Sequence, residues 1–242
     1  MVQKSSSQLK VAIIGATGYG GLQSIRILKD HPNFKITYLG GDRSSGRYWN
    51  ELCPFLTLDE NLLINEPDAK EIVKKADFVL LCLPNGFASQ LVPELLSNGL
   101  RVIDLSADYR YSSLTQWKQI YSVESTRFNR TDHDLCAEAI YGLPEWNSEL
   151  IAKARLVSAP GCFPTASLLP LLPFLKQGLI ELDGLVIDAK SGTSGGGRHP
   201  KENLLLAEAS ESIAPYSVIG HRHTSEIEQI ATLVSGQQVQ VQ

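Results

Sequence analysis

A short apolar run, a glycine-rich turn and an amphipathic segment follow one another near the start of the chain, and they restrict its fold more than any other feature. Residues 10–14 are predicted to form a buried parallel strand that ends at Gly15. Glycines at positions 15, 18 and 21 permit a tight turn, close approach of backbone N–H groups to a phosphate, and packing of the following helix, predicted over residues 21–30. Because the spacing is GxxGxxG rather than GxGxxG, a purely structural turn is the alternative. We favour a dinucleotide site, since the strand–turn–helix context is the one that such a site requires.

The same alternation of strands and helices continues along the chain. Such alternation is typical of a parallel α/β sheet. We therefore predict an α/β fold with a Rossmann-type parallel-sheet nucleotide domain over residues 1–160 and an incomplete α+β catalytic domain over residues 161–242. Residues 108–133 are expected to form a connecting excursion. The predicted strands lie at residues 34–39, 78–83, 101–105, 155–158 and 184–189, with the start of another at 237–242, and the predicted helices at 68–75, 87–97 and 224–233.

The end of the second strand bears on which dinucleotide binds. Arg43 offers a planar guanidinium and Ser44 a hydroxyl, and both suit the 2′-phosphate of NADP. Asp42 favours the ribose hydroxyls of NAD instead, unless its carboxylate faces solvent. We therefore expect NADP(H) as the cofactor. The residues predicted to bind it in this half of the chain are Gly15, Thr17, Gly18, Tyr19, Gly20, Arg43, Ser44 and Pro84.

Composition excludes several classes of function. The chain has 22 basic and 26 acidic residues, a net charge of −4, and no basic block, so nucleic acid is not an expected partner. No apolar run has the length of a membrane span, and the start of the chain lacks the apolar core of a signal peptide. The four cysteines form neither a CxxC pair nor a zinc spacing, which predicts a reducing cytoplasm and no metal site.

The segment Ala159-Pro160-Gly161-Cys162-Phe163-Pro164-Thr165 places one cysteine where a turn meets a helix. Gly161 interrupts the preceding strand, and Pro164 suits the first turn of a helix, where its missing N–H costs nothing. Unpaired N–H groups at a helix start favour the thiolate form of Cys162, which makes this residue a candidate nucleophile. A buried structural cysteine is the alternative, because free cysteine is among the most buried residue types.

Two further segments carry polar groups suited to a site. Residues 191–198 contain four glycines and three hydroxyl residues before Arg198, so they are predicted to form an anion-binding loop or to pass near a nicotinamide, with Ser191 and Gly192 contacting the cofactor. A flexible linker is the alternative. His221 and His223 flank an arginine, and one of them is a candidate general acid–base, although a lone histidine is more often structural.

Six motifs in order resemble those of the N-acetyl-gamma-glutamyl-phosphate reductase family, from about residue 9 to the end of the chain. They are Gly-Ala-Thr-Gly-Tyr at 15–19, Ser-Ala-Asp-Tyr-Arg at 106–110, Tyr-Gly-Leu-Pro-Glu at 141–145, Ala-Pro-Gly-Cys-Phe-Pro-Thr at 159–165, Ser-Gly-Thr-Ser-Gly-Gly-Gly-Arg at 191–198 and His-Arg-His-Thr at 221–224.

The resemblance implies an NADP-dependent reductase of arginine biosynthesis that converts N-acetylglutamyl phosphate into N-acetylglutamate semialdehyde through a cysteine thioester. It implies Cys162 as the nucleophile and His221 as the acid–base. It places Arg110, Tyr141, Arg198 and His223 around the small-molecule substrate. A cytoplasmic homo-oligomer is also expected.

The chain departs from the family pattern at several points, and other functions remain as alternatives. Members of the family continue beyond the position of Gln242, so the chain as given is expected to be poorly active or unstable by itself. Gly20 and Ser225 stand where the family usually has other residues, and neither change removes a chemical group with an assigned role. The alternatives are another acyl-phosphate reductase, such as aspartate-semialdehyde dehydrogenase, and a non-catalytic nucleotide-binding module.

Overall fold

The structure is a computed structural model that describes residues 8–218 and 220–242. It divides into two compact units. The first comprises the chain up to Gly142 together with Asn147–Ala159, and the second comprises Leu143–Trp146 together with Pro160–Gln242.

The first unit is built on a parallel sheet of seven strands in the order β3-β2-β1-β4-β5-β7-β6. From β1 the sheet extends to β2 and β3 on one side and to β4 and β5 on the other. The point between β1 and β4 is therefore the topological switch point, where open α/β sheets bind their ligands. The strands are β1 (Leu9–Ile14), β2 (Phe34–Gly40), β3 (Ile64–Asn65), β4 (Phe78–Leu81), β5 (Arg101–Asp104), β6 (Ile140–Tyr141) and β7 (Leu156–Ser158).

Eleven α-helices lie within the residues that the structure describes. The helix predicted after Cys162 is present, and the predicted excursion over residues 108–133 contains the short helices α5 and α6 and the start of α7. The helices are α1 (Tyr19–Leu28), α2 (Trp49–Leu52), α3 (Ala69–Lys75), α4 (Ala88–Ser97), α5 (Leu114–Ile120), α6 (Ser122–Arg127), α7 (His133–Glu138), α8 (Pro144–Lys153), α9 (Cys162–Gln177), α10 (Leu206–Ala209) and α11 (Arg222–Ser235).

Alternating side chains of the strands supply two separate cores. Val11 and Ile13 of β1 belong to one core, which also contains Ile25 of α1. Ala12 and Ile14 of the same strand belong to the other core, on the side of α3, α4 and α5. Because successive side chains of a strand point to opposite faces, this pattern buries the sheet on both sides, as a parallel sheet requires.

In the second unit, α9 packs against α11. Leu168 and Leu172 of α9 are buried, as are Ile227 and Ile230 of α11. Each helix ends at a glycine in the left-handed conformation, Gly178 with φ 64° and Gly236 with φ 70°.

The strand predicted over residues 184–189 is wrong for the described part of the second unit. Leu185 instead forms one isolated parallel bridge with Val241, supported by hydrogen bonds from Ile187 N to Gln242 O (2.8 Å) and from Gln242 N to Leu185 O (3.0 Å). An isolated pair of extended segments is only marginally stable, which explains why the pairing stops at one bridge. Among residues 8–218 and 220–242, no helix has both the length and the apolar character needed to cross a membrane.

Candidate active site

The turn after β1 can be formed only by glycine at its first position. Gly15 has φ +83°, and a Cβ atom at this position would lie 2.2 Å from the carbonyl oxygen of Cys82. The N–H groups of Gly15 and Ala16 both donate to Gly40 O, at 2.8 and 3.0 Å. The turn is therefore held against the ends of both neighbouring strands, β2 and β4, by backbone atoms.

The helix that follows this turn begins without a side-chain cap. Gly18 is the N-cap residue in an extended conformation, and no acidic residue lies in the first turn of α1. A Cβ atom at Gly21 would lie 2.3 Å from Gly15 O, so this glycine lets the helix approach the turn closely. The first N–H groups of α1 thus form the kind of helix start that binds phosphate.

The predicted cofactor residues after β2 lie beside this turn. Ser44 Oγ donates to Thr17 Oγ1 at 3.3 Å, so the structure brings these two hydroxyls together. Arg43 and Asp42 are both exposed. Tyr19 is exposed at the start of α1.

Pro84 lies in the turn that connects β4 to α4, at the carboxyl edge of the sheet, and it is exposed. The contact of Gly15 with the Cys82 carbonyl places this connection directly beside the glycine turn. Ligands of open α/β sheets bind outside the carboxyl ends of the parallel strands, which is the edge where Pro84 lies.

In the second unit, Cys162 is the first residue of α9 and is exposed. Its N-cap neighbour Gly161 is extended, with φ −63° and ψ 160°, and supplies no side-chain cap. The first turn of the helix contains no acidic residue. The predicted placement of a thiol at an open helix start is therefore present, whereas Cys53 and Cys136 are buried.

Four aromatic rings lie together at the start of α9. Phe163, the second residue of the helix, has its ring centroid 5.4 Å from that of His221 and 5.9 Å from that of His223, and the two imidazoles are 4.9 Å apart. The ring of Tyr216 lies 5.5 Å from that of His221. Burial, and then the electrostatic effect of Cys162, raise the pKa of Tyr216.

His221 is the N-cap residue of α11, and its Nδ1 accepts a hydrogen bond from His223 N at 3.1 Å. Partial burial and the positive charge of Arg222 lower the pKa of His221, which favours a neutral ring near pH 7. With Nδ1 acting as an acceptor, the proton of the neutral ring lies on Nε2. His221 is therefore set to donate a proton from Nε2, which is the acid function of the predicted acid–base.

Sequence reasoning did not assign a role to Glu226, which is fully buried. Its Oε1 accepts a hydrogen bond of 2.9 Å from Gly161 N, immediately before the cysteine. A Cβ atom at Gly161 would also lie 2.5 Å from His223 Nε2, so there is no room for a side chain between this backbone and the imidazole. Glu226 follows His223 by three residues on α11 and therefore lies on the same helix face, a signal that was available in the sequence.

Arg110 and Tyr141 belong to the first unit. Arg110 is largely buried, and its guanidinium donates to Ala159 O at 2.9 Å and to Leu105 O at 3.2 Å. It thereby holds the carbonyl that begins the segment leading to the cysteine. Tyr141 lies in β6 and is half-buried, and its carbonyl accepts a hydrogen bond from Asn147 Nδ2 at 2.9 Å.

The glycine-rich loop of the second unit is mostly exposed and contains a short 3₁₀ turn, Thr193–Gly196. Ser191 Oγ donates to Gly192 O at 3.2 Å, and a Cβ atom at Gly195 would lie 2.3 Å from the same hydroxyl. Arg198 is exposed at the end of the loop. The predicted residues of this loop are thus neighbours, in a backbone that needs at least one of its glycines.

The sheet order and the glycine turn are those of a Rossmann-type dinucleotide-binding domain. Two family models match most of the chain. The model for the semialdehyde dehydrogenase NAD binding domain matches residues 10–154, and the model for the semialdehyde dehydrogenase dimerisation domain matches residues 162–242. The chain therefore belongs to the semialdehyde dehydrogenase family, which confirms the predicted fold class.

Curated relatives confirm the resemblance drawn from the six motifs. A protein of Parasynechococcus marenigrum (strain WH8102) is 65% identical over 97% of this chain and 66% of its own length. A protein of Prochlorococcus marinus (strain MIT 9211) is 62% identical over 100% of this chain and 67% of its own length. Both are named N-acetyl-gamma-glutamyl-phosphate reductase. The chain thus spans about two thirds of the length of these relatives.

Solved structures show the same fold at low identity. Aspartate semialdehyde dehydrogenase II from Vibrio cholerae matches with a TM-score of 0.65 at 16% identity, over 98% of this chain and 69% of that chain. Aspartate semialdehyde dehydrogenase with NADP from Candida albicans matches with a TM-score of 0.63 at 17% identity, over 98% of this chain and 67% of that chain.

Proposed function

We propose that this chain carries the cofactor site and the nucleophile of an NADPH-dependent reductase that converts N-acetyl-gamma-glutamyl phosphate into N-acetylglutamate 5-semialdehyde, a step of arginine biosynthesis. The observation that carries the proposal is Cys162, exposed at the uncapped start of α9 and followed by Phe163, whose ring lies 5.4 Å from that of His221. The names of the relatives supply the substrate.

The residues around the glycine turn fit a dinucleotide. The start of α1 is free of side-chain caps and acids, and the backbone at Gly15 leaves no room for a Cβ atom. The N–H groups at this helix start suit the pyrophosphate, and Thr17, Ser44 and Arg43 suit the 2′-phosphate of NADP. The other proposed contacts are Gly18, Tyr19, Gly20, Pro84, Ser191 and Gly192.

In the proposed chemistry, Cys162 Sγ forms a bond to the acyl carbon while the bond from that carbon to the phosphate oxygen breaks. This step gives a thioester, and the proton of the thiol leaves with inorganic phosphate, with His221 as the proposed acid–base. The bound cofactor supplies the hydride that reduces the thioester carbonyl.

N–H groups at the start of α9 stabilise the oxyanion that results. Its collapse breaks the C–S bond, releases the aldehyde and returns the thiolate of Cys162. Glu226 holds the turn before the cysteine, so the nucleophile and the imidazoles keep their spacing. Arg110, Tyr141, Arg198 and His223 are the proposed substrate contacts, and Arg198 suits the substrate carboxylate or phosphate.

We propose a boundary between two domains at residue 160, with the NADP-binding domain before it and the catalytic domain after it. A homo-oligomer is proposed because the second region matches a dimerisation domain. A cytoplasmic location remains a prediction.

The test is phosphate-dependent oxidation of N-acetylglutamate semialdehyde, followed as NADPH formation at 340 nm and repeated with NAD. The chain as given is expected to have low activity, and we expect that activity to prefer NADP and to fall to background in Cys162→Ser. Cys53→Ala, which changes a buried cysteine of the first unit, is the matched control and should keep the activity.

Labelling with iodoacetamide at pH 7, located by peptide mass spectrometry, measures the reactivity of Cys162 directly. We expect it to react faster than a model cysteine peptide. A rate no higher than that of the peptide, together with full activity in Cys162→Ser, would contradict the proposed mechanism.

A further inference from the structure

Asp108 is a buried carboxylate of the first unit that bonds to the turn after β4. Its Oδ1 accepts a hydrogen bond from Gly86 N at 2.6 Å, and its Oδ2 accepts one from Ser89 N at 3.1 Å. Ser89 Oγ in turn donates to Gly86 O at 2.8 Å. One carboxylate therefore holds both ends of a turn of four residues at the start of α4.

The same turn is also restricted from another side. Gly86 has φ +90°, and a Cβ atom there would lie 2.1 Å from the ring of Phe128. The Phe128 ring contacts that of Phe87, with centroids 4.9 Å apart, and the guanidinium of Arg127 lies over both rings. The conformation of the turn thus depends on contacts from the excursion between β5 and β6, and not on its own sequence alone.

Asp108 is itself held rigidly. Its N–H donates to Ser106 Oγ at 3.1 Å, and its carbonyl accepts from Arg130 Nη1 at 2.7 Å. Arg130 pairs with Asp132 and lies over the ring of Trp117. A buried guanidinium with these partners fixes the backbone that carries the Asp108 carboxylate.

The turn held by Asp108 lies beside the proposed cofactor site. It follows β4, which neighbours β1 at the switch point of the sheet, and the Cys82 carbonyl before it contacts Gly15. We infer that Asp108 is a positioning residue that fixes the turn of residues 84–89 as one wall of the cofactor site. This inference rests on the proposed NADPH binding.

The carboxylate has a second consequence for anion binding. Helices α1 and α4 both begin at the carboxyl edge of the sheet, and a helix start attracts anions. At α4, the Asp108 carboxylate already accepts a hydrogen bond from Ser89 N in the first turn and one from Gly86 N just before the helix. At α1, no side-chain cap or acid does so. Of these two helix starts, α1 is therefore the one that suits the cofactor phosphates.

The experiment measures the Kd of NADPH by fluorescence titration for the wild type, Asp108→Asn and Asp77→Asn, together with the melting temperature of each. In Asp108→Asn, an amide NH₂ replaces one acceptor oxygen, so one of the two bonds to the turn is lost. We expect the Kd to rise about tenfold, the equivalent of one charged hydrogen bond. Asp77 Oδ2 accepts a hydrogen bond from Lys10 N at 2.8 Å, at the opposite ends of β1 and β4. Asp77→Asn is therefore the matched control, and its Kd should stay within about twofold of the wild type.

A third variant, Phe128→Leu, removes the ring against Gly86 and leaves the carboxylate in place. We expect its Kd to rise less than that of Asp108→Asn, and it keeps the test open if Asp108→Asn does not fold. An unchanged Kd in both Asp108→Asn and Phe128→Leu, or an equal rise in Asp77→Asn, would overturn the inference alone. Absence of NADPH binding by the wild type would overturn the proposed function and, with it, this inference.

Discussion

The two units prepare their candidate sites in opposite ways. In the first unit, the cofactor turn is defined by backbone atoms and buried polar side chains, such as the Cys82 carbonyl against Gly15 and Asp108 against Gly86. In the second unit, the candidate nucleophile Cys162 is exposed, and a cluster of rings surrounds its helix start. A site that must match the shape of a cofactor needs a rigid backbone, whereas a reacting thiol needs access for its substrate.

A glycine marks the critical position in each unit, but its neighbours differ. Gly15 lies against a backbone carbonyl, and Gly161 lies against the imidazole of His223. Cys82 directly follows β4, and its N–H donates to Ile14 O at 2.7 Å, so its backbone is anchored to the neighbouring strand, whereas an imidazole can rotate. We therefore expect the first unit to tolerate change less well than the second.

The largest effect is expected for Gly15→Ala. A Cβ atom would lie 2.2 Å from Cys82 O, at a backbone conformation that alanine disfavours. We expect the free energy of unfolding to fall by more than about 3 kcal/mol and NADPH binding to be lost. Urea denaturation and fluorescence titration measure the two effects.

Gly20→Ala is the matched control for this variant. Here a Cβ atom would lie 3.6 Å from Cys82 Cβ, an ordinary contact, and alanine favours the helix. Its stability should equal or exceed that of the wild type. If Gly15→Ala and Gly20→Ala were equally stable, the approach of the Cys82 carbonyl would not be the reason that the turn needs glycine at position 15.

A smaller effect is expected for Glu226→Ala in the second unit. The change leaves the N–H of Gly161 without its carboxylate acceptor, which should lower the free energy of unfolding by about 1–3 kcal/mol. The rate of iodoacetamide labelling at Cys162 should change as well, because the turn before the cysteine loses its anchor. Glu226→Gln keeps an acceptor oxygen and should show less of both effects. A labelling rate in Glu226→Ala equal to that of the wild type would show that Glu226 does not position the cysteine.

A pH-dependent effect on stability is expected from Asp104 in the first unit. Burial, and then the negative charge of Asp108, raise the pKa of Asp104 to about 7. In the unfolded chain an aspartate ionises near pH 3.9, at about its model-peptide value. The folded state therefore holds more protons between about pH 4 and 7, and this residue makes the protein less stable as the pH rises through that window.

Asp104→Asn removes this titration while keeping an acceptor for Ser106 N. We expect the stability of the variant relative to the wild type to increase from pH 5 to pH 8, measured by urea denaturation at both values. Asp59→Asn, at an exposed acid of the same unit, should show no such trend. If the difference in free energy of unfolding between Asp104→Asn and the wild type is the same at both pH values, the raised pKa of Asp104 is not the cause of the pH dependence.

Most strands of the first unit were predictable because their apolar runs are local signals. The predicted strand over residues 34–39 corresponds to β2 (Phe34–Gly40), and the predicted helix over 68–75 corresponds to α3 (Ala69–Lys75). The two-residue strands β3 and β6 were not predicted, since they are too short to show a period and exist only through pairing with β2 and β7. The strand predicted over residues 184–189 is wrong, because an apolar pattern forms a strand only where a neighbouring strand pairs with it. Here the pairing is a single bridge.

The sequence by itself determined the features that depend on neighbouring residues: the glycine turn after β1 and the position of Cys162 at a helix start. Local conformational preferences of glycine and proline are sufficient to place both. Only the tertiary structure decided the contacts between distant residues, such as Gly161 with Glu226, 65 positions apart, and Gly86 with Asp108, 22 positions apart. These bonds form because packing buries a carboxylate against a free N–H group, and no local pattern specifies which carboxylate that will be.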